Sequence, residues 1–111
     1  MLVANPVSYI VQKLLVHARR KPDDRSKDVL YIHDTLTLFA GSLPVLCQLW
    51  CDGVRPALGL RAQVKIRRAI RECFDDVTDT VRGAALMATG RSLSPGQLRE
   101  TCRAGLLQIL D

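Results

Sequence analysis

Aromatic side chains are scarce in this sequence, since Phe, Trp and Tyr together make up 5% of its 111 residues. A protein that binds single-stranded nucleic acid by stacking bases needs a platform of such rings, and this composition argues against one. Charged residues (24%) and hydrophobic residues (48%) are close to globular averages, which excludes a disordered or low-complexity class. The length predicts a single domain.

Cysteine is too infrequent for a disulfide-rich scaffold. The chain has four cysteines and no Cys-x-x-Cys pair, which predicts buried thiols in a reducing compartment. The cysteines and histidines do not have the spacing of zinc ligands, so we predict no metal site. No basic leader is visible, and the most apolar stretch, residues 29–51, is broken by His33, Asp34, Gly41 and Pro44. We therefore expect a cytoplasmic protein with no membrane partner.

Alternation of apolar and polar residues with a period of two is missing, so no strand is predicted. Apolar residues recur instead at helical spacing, which predicts an all-α fold, an irregular bundle of about five or six helices. An alternative is a pair of small helical lobes joined near Gly53. The predicted helices run from Pro6 to about Arg20, from near Ser26 to Gly41, over 43–51, from Pro56 to about Phe74, from Asp75, Asp76 or Asp79 to Gly90, and from Pro95 onward.

Local signals support these boundaries. Asn5 and Pro6 are typical of a helix start, and Ser94 and Gln97 have the spacing of a capping box. Residues 21–25 form a predicted polar loop. The predicted apolar face of the second helix consists of Val29, Ile32, Leu36 and Phe39.

A group of cations lies beside the apolar face of the first helix. Lys13, His17 and Arg20 follow the i, i+4, i+7 spacing of one helix face. Because a short loop joins the first two helices, they should pack antiparallel and bring Asp28 near Arg20. One interpretation is a solvated face with a surface salt bridge worth about 0–1 kcal/mol, in which case Lys13 and Asp28 are dispensable for folding.

The other interpretation comes from a resemblance. The pattern K-L-L-V-x-x-x-R at 13–20, followed by Lys27-Asp28 and a further acid at Asp34, resembles the helical region of bacterial nucleotidyltransferase-like proteins, which are relatives of the abortive-infection toxin nucleotidyltransferases. The resemblance covers residues 5–39. It implies a helical domain that positions a nucleotide or acceptor, with Lys13 at the triphosphate, Asp28 as its partner, and Arg20 and Lys27 as supporting charges. Such cations stabilise charge on phosphate oxygens during nucleotidyl transfer.

The metal-binding half of that family is not found in this sequence. Its ligands are a Gly-Ser followed by Asp-x-Asp on a sheet, whereas this chain contains Gly41-Ser42 but no Asp-x-Asp. We therefore expect the C-terminal helical part of such a protein, or a degenerate relative, that is inactive alone and holds no cofactor. Mg²⁺ and a nucleoside triphosphate would act only with an upstream catalytic domain as partner.

A second basic group favours a different function. The formal net charge is +5, and residues 55–71 contain six cations and no acid. We define the basic stripe as Arg61, Lys65, Arg67, Arg68 and Arg71. The alternative hypothesis is a non-enzymatic module that binds RNA, DNA or a protein partner through this stripe. Acidic residues follow it directly, and this charge gradient also suits head-to-tail or antiparallel homo-oligomers.

Overall fold

Six α-helices and no strand make up the regular structure of residues 6–88, 90 and 93–110, the part of the chain that the computed structural model describes. The all-α prediction is confirmed. The helices are α1 (Pro6–Val16), α2 (Pro22–Leu38), α3 (Leu43–Leu49), α4 (Leu60–Phe74), α5 (Asp79–Met87) and α6 (Pro95–Leu110). The predicted helix cap at Asn5 lies outside the described residues.

The junction between α1 and α2 differs from the prediction. The α-helical part of α1 ends at Val16 and continues as a 3-10 turn, His17–Arg19. The predicted loop at 21–25 is wrong, because α2 already begins at Pro22. Two features favour a helix start here. Proline fixes the backbone in the first turn, and the carboxylates of Asp23 and Asp24 are attracted to the positive end of the helix dipole. Asp28 consequently lies in the second turn of α2 and not at its beginning.

Irregular turns connect α3 to α4. After Leu49 the chain forms a π-helical turn, Trp50–Val54, and then a 3-10 turn, Arg55–Ala57. Pro56 therefore belongs to a separate turn and does not open α4 as predicted. α4 begins at Leu60, after the extended backbone of Gly59.

Side-chain caps fix the starts of the last two helices. Thr78 Oγ1 accepts a hydrogen bond from the Val81 amide at 3.2 Å, which places the start of α5 at Asp79, the later of the predicted positions. The Ser94 and Gln97 side chains each accept a bond from the other residue's amide at 3.1 Å. The predicted capping box of α6 is therefore confirmed.

Buried side chains from all six helices form one cluster, so the alternative of two small lobes is wrong. α2 runs along α5 and α6, and small residues allow a close approach on both sides. A Cβ atom at Gly83 would lie 2.5 Å from Ser26 Oγ, and one at Gly105 would lie 3.0 Å from Leu36 Cδ1. Ser26 Oγ also donates a hydrogen bond of 3.0 Å to the Thr80 carbonyl, which joins α2 to α5.

Among the described helices, none has by itself the length and apolar character of a membrane span. Only α2 combined with residues Ala40–Ala57 reaches that length, and the two parts are bent by 64°.

Candidate functional site

The Asp28 carboxylate holds two cations of the predicted site. Asp28 is 2% exposed, and its Oδ1 lies 3.2 Å from Lys13 Nζ. Arg20 donates through Nε to Oδ2 at 3.0 Å and through Nη2 to Oδ1 at 3.3 Å. The hydrogen bond to Asp28 raises the pKa of Arg20. The expectation of an exposed surface pair is therefore wrong for Asp28, whose burial requires cationic partners.

Both cations also border an open groove of about 450 Å³. The groove is lined by Tyr9, Gln12, Lys13, Val16, Arg19 and Arg20. The Lys13 side chain is 20% exposed and that of Arg20 is 35% exposed, so each touches both Asp28 and solvent. Arg19 is exposed and forms no ion pair within the described part of the chain. The lining of the groove carries three cations and no acidic side chain, which gives its surface a positive charge.

Aromatic rings hold the Lys13 ammonium from another side. Lys13 Nζ lies 5.2 Å from the centroid of the Tyr9 ring and 5.9 Å from that of Tyr31, within the range of cation–π contacts. The two rings meet edge to face at a centroid distance of 6.4 Å. Tyr9 is not among the residues predicted for this site, although its position four residues before Lys13 places it on the same helix face.

Lys27 is not part of this groove. It borders a separate groove of about 400 Å³ with Leu30, Tyr31, Asp34 and Met87. Adjacent helical residues point about 100° apart, so Lys27 and Asp28 cannot face the same site. The structure thus brings together three of the four residues predicted for nucleotide binding, Lys13, Arg20 and Asp28.

Arg25 fixes the segment that carries Arg19 and Arg20. It donates through Nε to the His17 carbonyl at 2.9 Å and through Nη2 to the Ala18 carbonyl at 2.8 Å. These bonds satisfy carbonyls in the turn that follows α1 and tie that turn to α2. Arg25 falls in the predicted loop at 21–25, and its sequence position gave no sign of this role.

His17 faces away from the Asp28 carboxylate and toward the core. Its Nε2 lies 3.2 Å from Cys73 Sγ, a contact between α4 and the turn after α1. Burial, with a further contribution from the nearby Arg25, lowers the pKa of His17. Burial raises the pKa of the Cys73 thiol to about 12, so it stays protonated at neutral pH. The two therefore do not form an activated thiolate–imidazole pair.

His17 should make the stability of the fold depend on pH. Because its pKa is lower in the folded state than in the unfolded chain, the unfolded chain binds the proton first, and stability is lost as the pH falls below about 6.5. We expect the melting temperature to fall less between about pH 7.5 and pH 5.5 in His17→Gln than in the wild type. Titrating groups that do not interact with His17 cancel in this difference. Equal losses in both proteins would contradict the assignment.

The basic stripe on α4 is exposed along its whole length, and within the described residues none of its cations forms an ion pair. Its side chains line two different grooves. Arg61, Lys65 and Arg68 border one of about 460 Å³ together with Leu60 and Val64. Arg67 and Arg71 border another of about 200 Å³, lined otherwise by Ile70, Leu106, Leu107 and Leu110.

Among the described residues, no group of three or more His, Cys, Asp or Glu side chains is placed to hold a metal ion. A scan against protein-family models and searches of curated proteins and of solved structures found no match to this chain.

Proposed function

We propose that this chain is the helical nucleotide-positioning part of a nucleotidyltransferase-like protein, which acts together with a metal-binding catalytic half. One observation carries the proposal: the buried Asp28 carboxylate holds Lys13 and Arg20 side by side on the wall of an open, positively charged groove. The resemblance of residues 5–39 to that family gives the same residues the same role.

The arrangement suits a triphosphate because its cations are already held in place and still have free donors. Asp28 and the rings of Tyr9 and Tyr31 restrict the Lys13 ammonium, so little side-chain freedom is lost when an anion binds. Arg20 uses Nε and Nη2 on Asp28, and its remaining N–H donors are available to phosphate oxygens. Arg19, on the rim, adds a further cation.

We assign this chain no chemical step. Nucleotidyl transfer of this type requires two metal ions that bridge the phosphate oxygens, and the described residues offer no ligand set for them. The role proposed for Lys13, Arg19 and Arg20 is to orient the triphosphate and to neutralise part of its charge.

The test measures binding of inorganic triphosphate, without metal, by calorimetry at low ionic strength. Arg19→Ala should weaken binding about 10-fold, because one charge-assisted hydrogen bond is worth about 1.5 kcal/mol. Arg19 is exposed and unpaired within the described residues, so its removal should leave the fold intact. Arg55→Ala is the matched control, since it removes the same charge from an exposed 3-10 turn outside the groove.

The control separates a site from general attraction to a basic protein. Binding that Arg19→Ala weakens and Arg55→Ala leaves unchanged supports the groove as the triphosphate site. Equal weakening in both variants assigns the binding to the net charge of +5 and contradicts the proposal. The proposal also fails if the wild-type protein binds no triphosphate.

A further inference from the structure

The outward face of α4 carries two blocks of opposite charge. Lys65, Arg68, Glu72 and Asp75 follow the i, i+3, i+7, i+10 spacing of one helix face, and all four are exposed. The first two are basic and the last two acidic. We call these four residues the bipolar face. Within the described part of the chain, none of them forms an ion pair.

The bipolar face contains two pairs of like charges. Like charges one turn apart repel each other, as Lys65 and Arg68 do and as Glu72 and Asp75 do. The acids also lie at the C-terminal end of α4, where the helix dipole disfavours negative charge. Within the chain, Arg68 and Glu72 offset each other at i, i+4, and Arg99 donates to the Phe74 and Asp75 carbonyls at the end of α4, but the four side chains keep their outer surface exposed to solvent.

A second copy of the chain would compensate every one of these charges. We propose that α4 pairs antiparallel with α4 of a second copy through the bipolar face. When Arg68 faces Glu72 of the second copy, Lys65 faces Asp75 of the second copy, because Lys65 precedes Arg68 by three residues and Asp75 follows Glu72 by three. The two-fold axis repeats both contacts, so one register satisfies both blocks.

The acidic block distinguishes this partner from a nucleic acid. A phosphate backbone that followed the basic stripe would be attracted by Lys65 and Arg68 and then repelled by Glu72 and Asp75 on the same face. Exposed apolar side chains point the same way. Leu60 and Val64 border the groove formed with Arg61, Lys65 and Arg68, and they offer a protein partner apolar area that a phosphate backbone does not use.

The pairing should be weak and sensitive to salt. α4 has 15 residues and is about 22 Å long, so one helix–helix contact buries less than the roughly 1,200 Å² of a stable interface. Exposed ion pairs contribute little individually and are screened by added salt. We therefore expect a weak dimer at low ionic strength and loss of the dimer at high salt.

Charge reversal provides the test, with sedimentation velocity at low ionic strength as the measurement. One variant carries Lys65→Glu and Arg68→Glu, a second carries Glu72→Lys and Asp75→Lys, and a third carries all four changes. Each double variant should dimerise at least about 100-fold more weakly than the wild type, because like charges then face each other. An equimolar mixture of the two double variants should form a heterodimer, and the fourfold variant should dimerise again.

Two measurements distinguish a loss of pairing from a loss of fold. Circular dichroism melts report the fold of each, and heterodimers in the mixture show that both double variants remain competent. A wild-type protein that stays monomeric, a double variant that still dimerises, or a mixture that stays monomeric would each overturn the proposal. So would a wild-type monomer that binds a single-stranded RNA through Lys65 and Arg68. Triphosphate binding at Arg19 is a separate measurement, and its result is independent of this one.

Discussion

Leu36→Ala should lower the free energy of unfolding by about 3 kcal/mol or more. The Leu36 side chain is 3% exposed and lies in the core cluster, on the face of α2 that meets α6. Its Cδ1 and Cδ2 atoms would lie 3.0 and 3.1 Å from a Cβ atom at Gly105, so α6 already approaches as closely as its backbone allows. A cavity left by the shorter side chain could therefore close only if the helices shifted.

Leu38 provides a matched control on the same helix. It is 78% exposed, and Leu38→Ala removes the same atoms from a position in solvent. Chemical denaturation of both variants should give a large loss for Leu36→Ala and a change within about 0.5 kcal/mol for Leu38→Ala. Equal losses would show that Leu36 is not packed between α2 and α6.

Features set by local sequence were predictable. The periodicity of α2 predicted an apolar face of Val29, Ile32, Leu36 and Phe39. The first three are buried, and Phe39, which follows the end of α2, is partly buried against the core. The capping box at Ser94 and Gln97 depends on four consecutive residues only, and it forms as predicted. Pro22 shows the limit of such signals, because proline both ends the preceding helix and suits the first turn of the next.

Features set by the approach of two helices were not predictable. The spacing of Lys13, Arg20 and Asp28 indicated that they would meet, and they do. It did not show that Asp28 would be buried, because that depends on how closely α1 and α2 pack. The roles of Arg25 and Tyr9 depend on the same approach. Lys27 was predicted for the site because it precedes Asp28 in the sequence. Adjacent residues of a helix point about 100° apart, so Lys27 borders a different groove.

Asp28→Ala should also cost about 3 kcal/mol of unfolding free energy, in contrast to the surface pair that the sequence suggested. The substitution removes a carboxylate that is 2% exposed and leaves Lys13 and Arg20 next to each other with no counter-charge. Both cations reach solvent, which moderates their repulsion. Asp23→Ala, in the exposed first turn of α2, is the matched control and should cost less than about 1 kcal/mol.

Lys13→Ala tests whether the Asp28 ion pairs serve only the fold or also the proposed triphosphate site. Asp28 keeps its two bonds to Arg20 in this variant, so the loss of stability should be only about 1 kcal/mol, while triphosphate binding should weaken clearly. Denaturation of Lys13→Ala beside Asp28→Ala, together with calorimetry on the folded variant, measures both effects. If Lys13→Ala destabilises the protein as much as Asp28→Ala does, both cations are required by the fold. Lys13, Arg20 and Asp28 would then form a structural ion-pair network, and the nucleotide site proposed at this groove would lose its support.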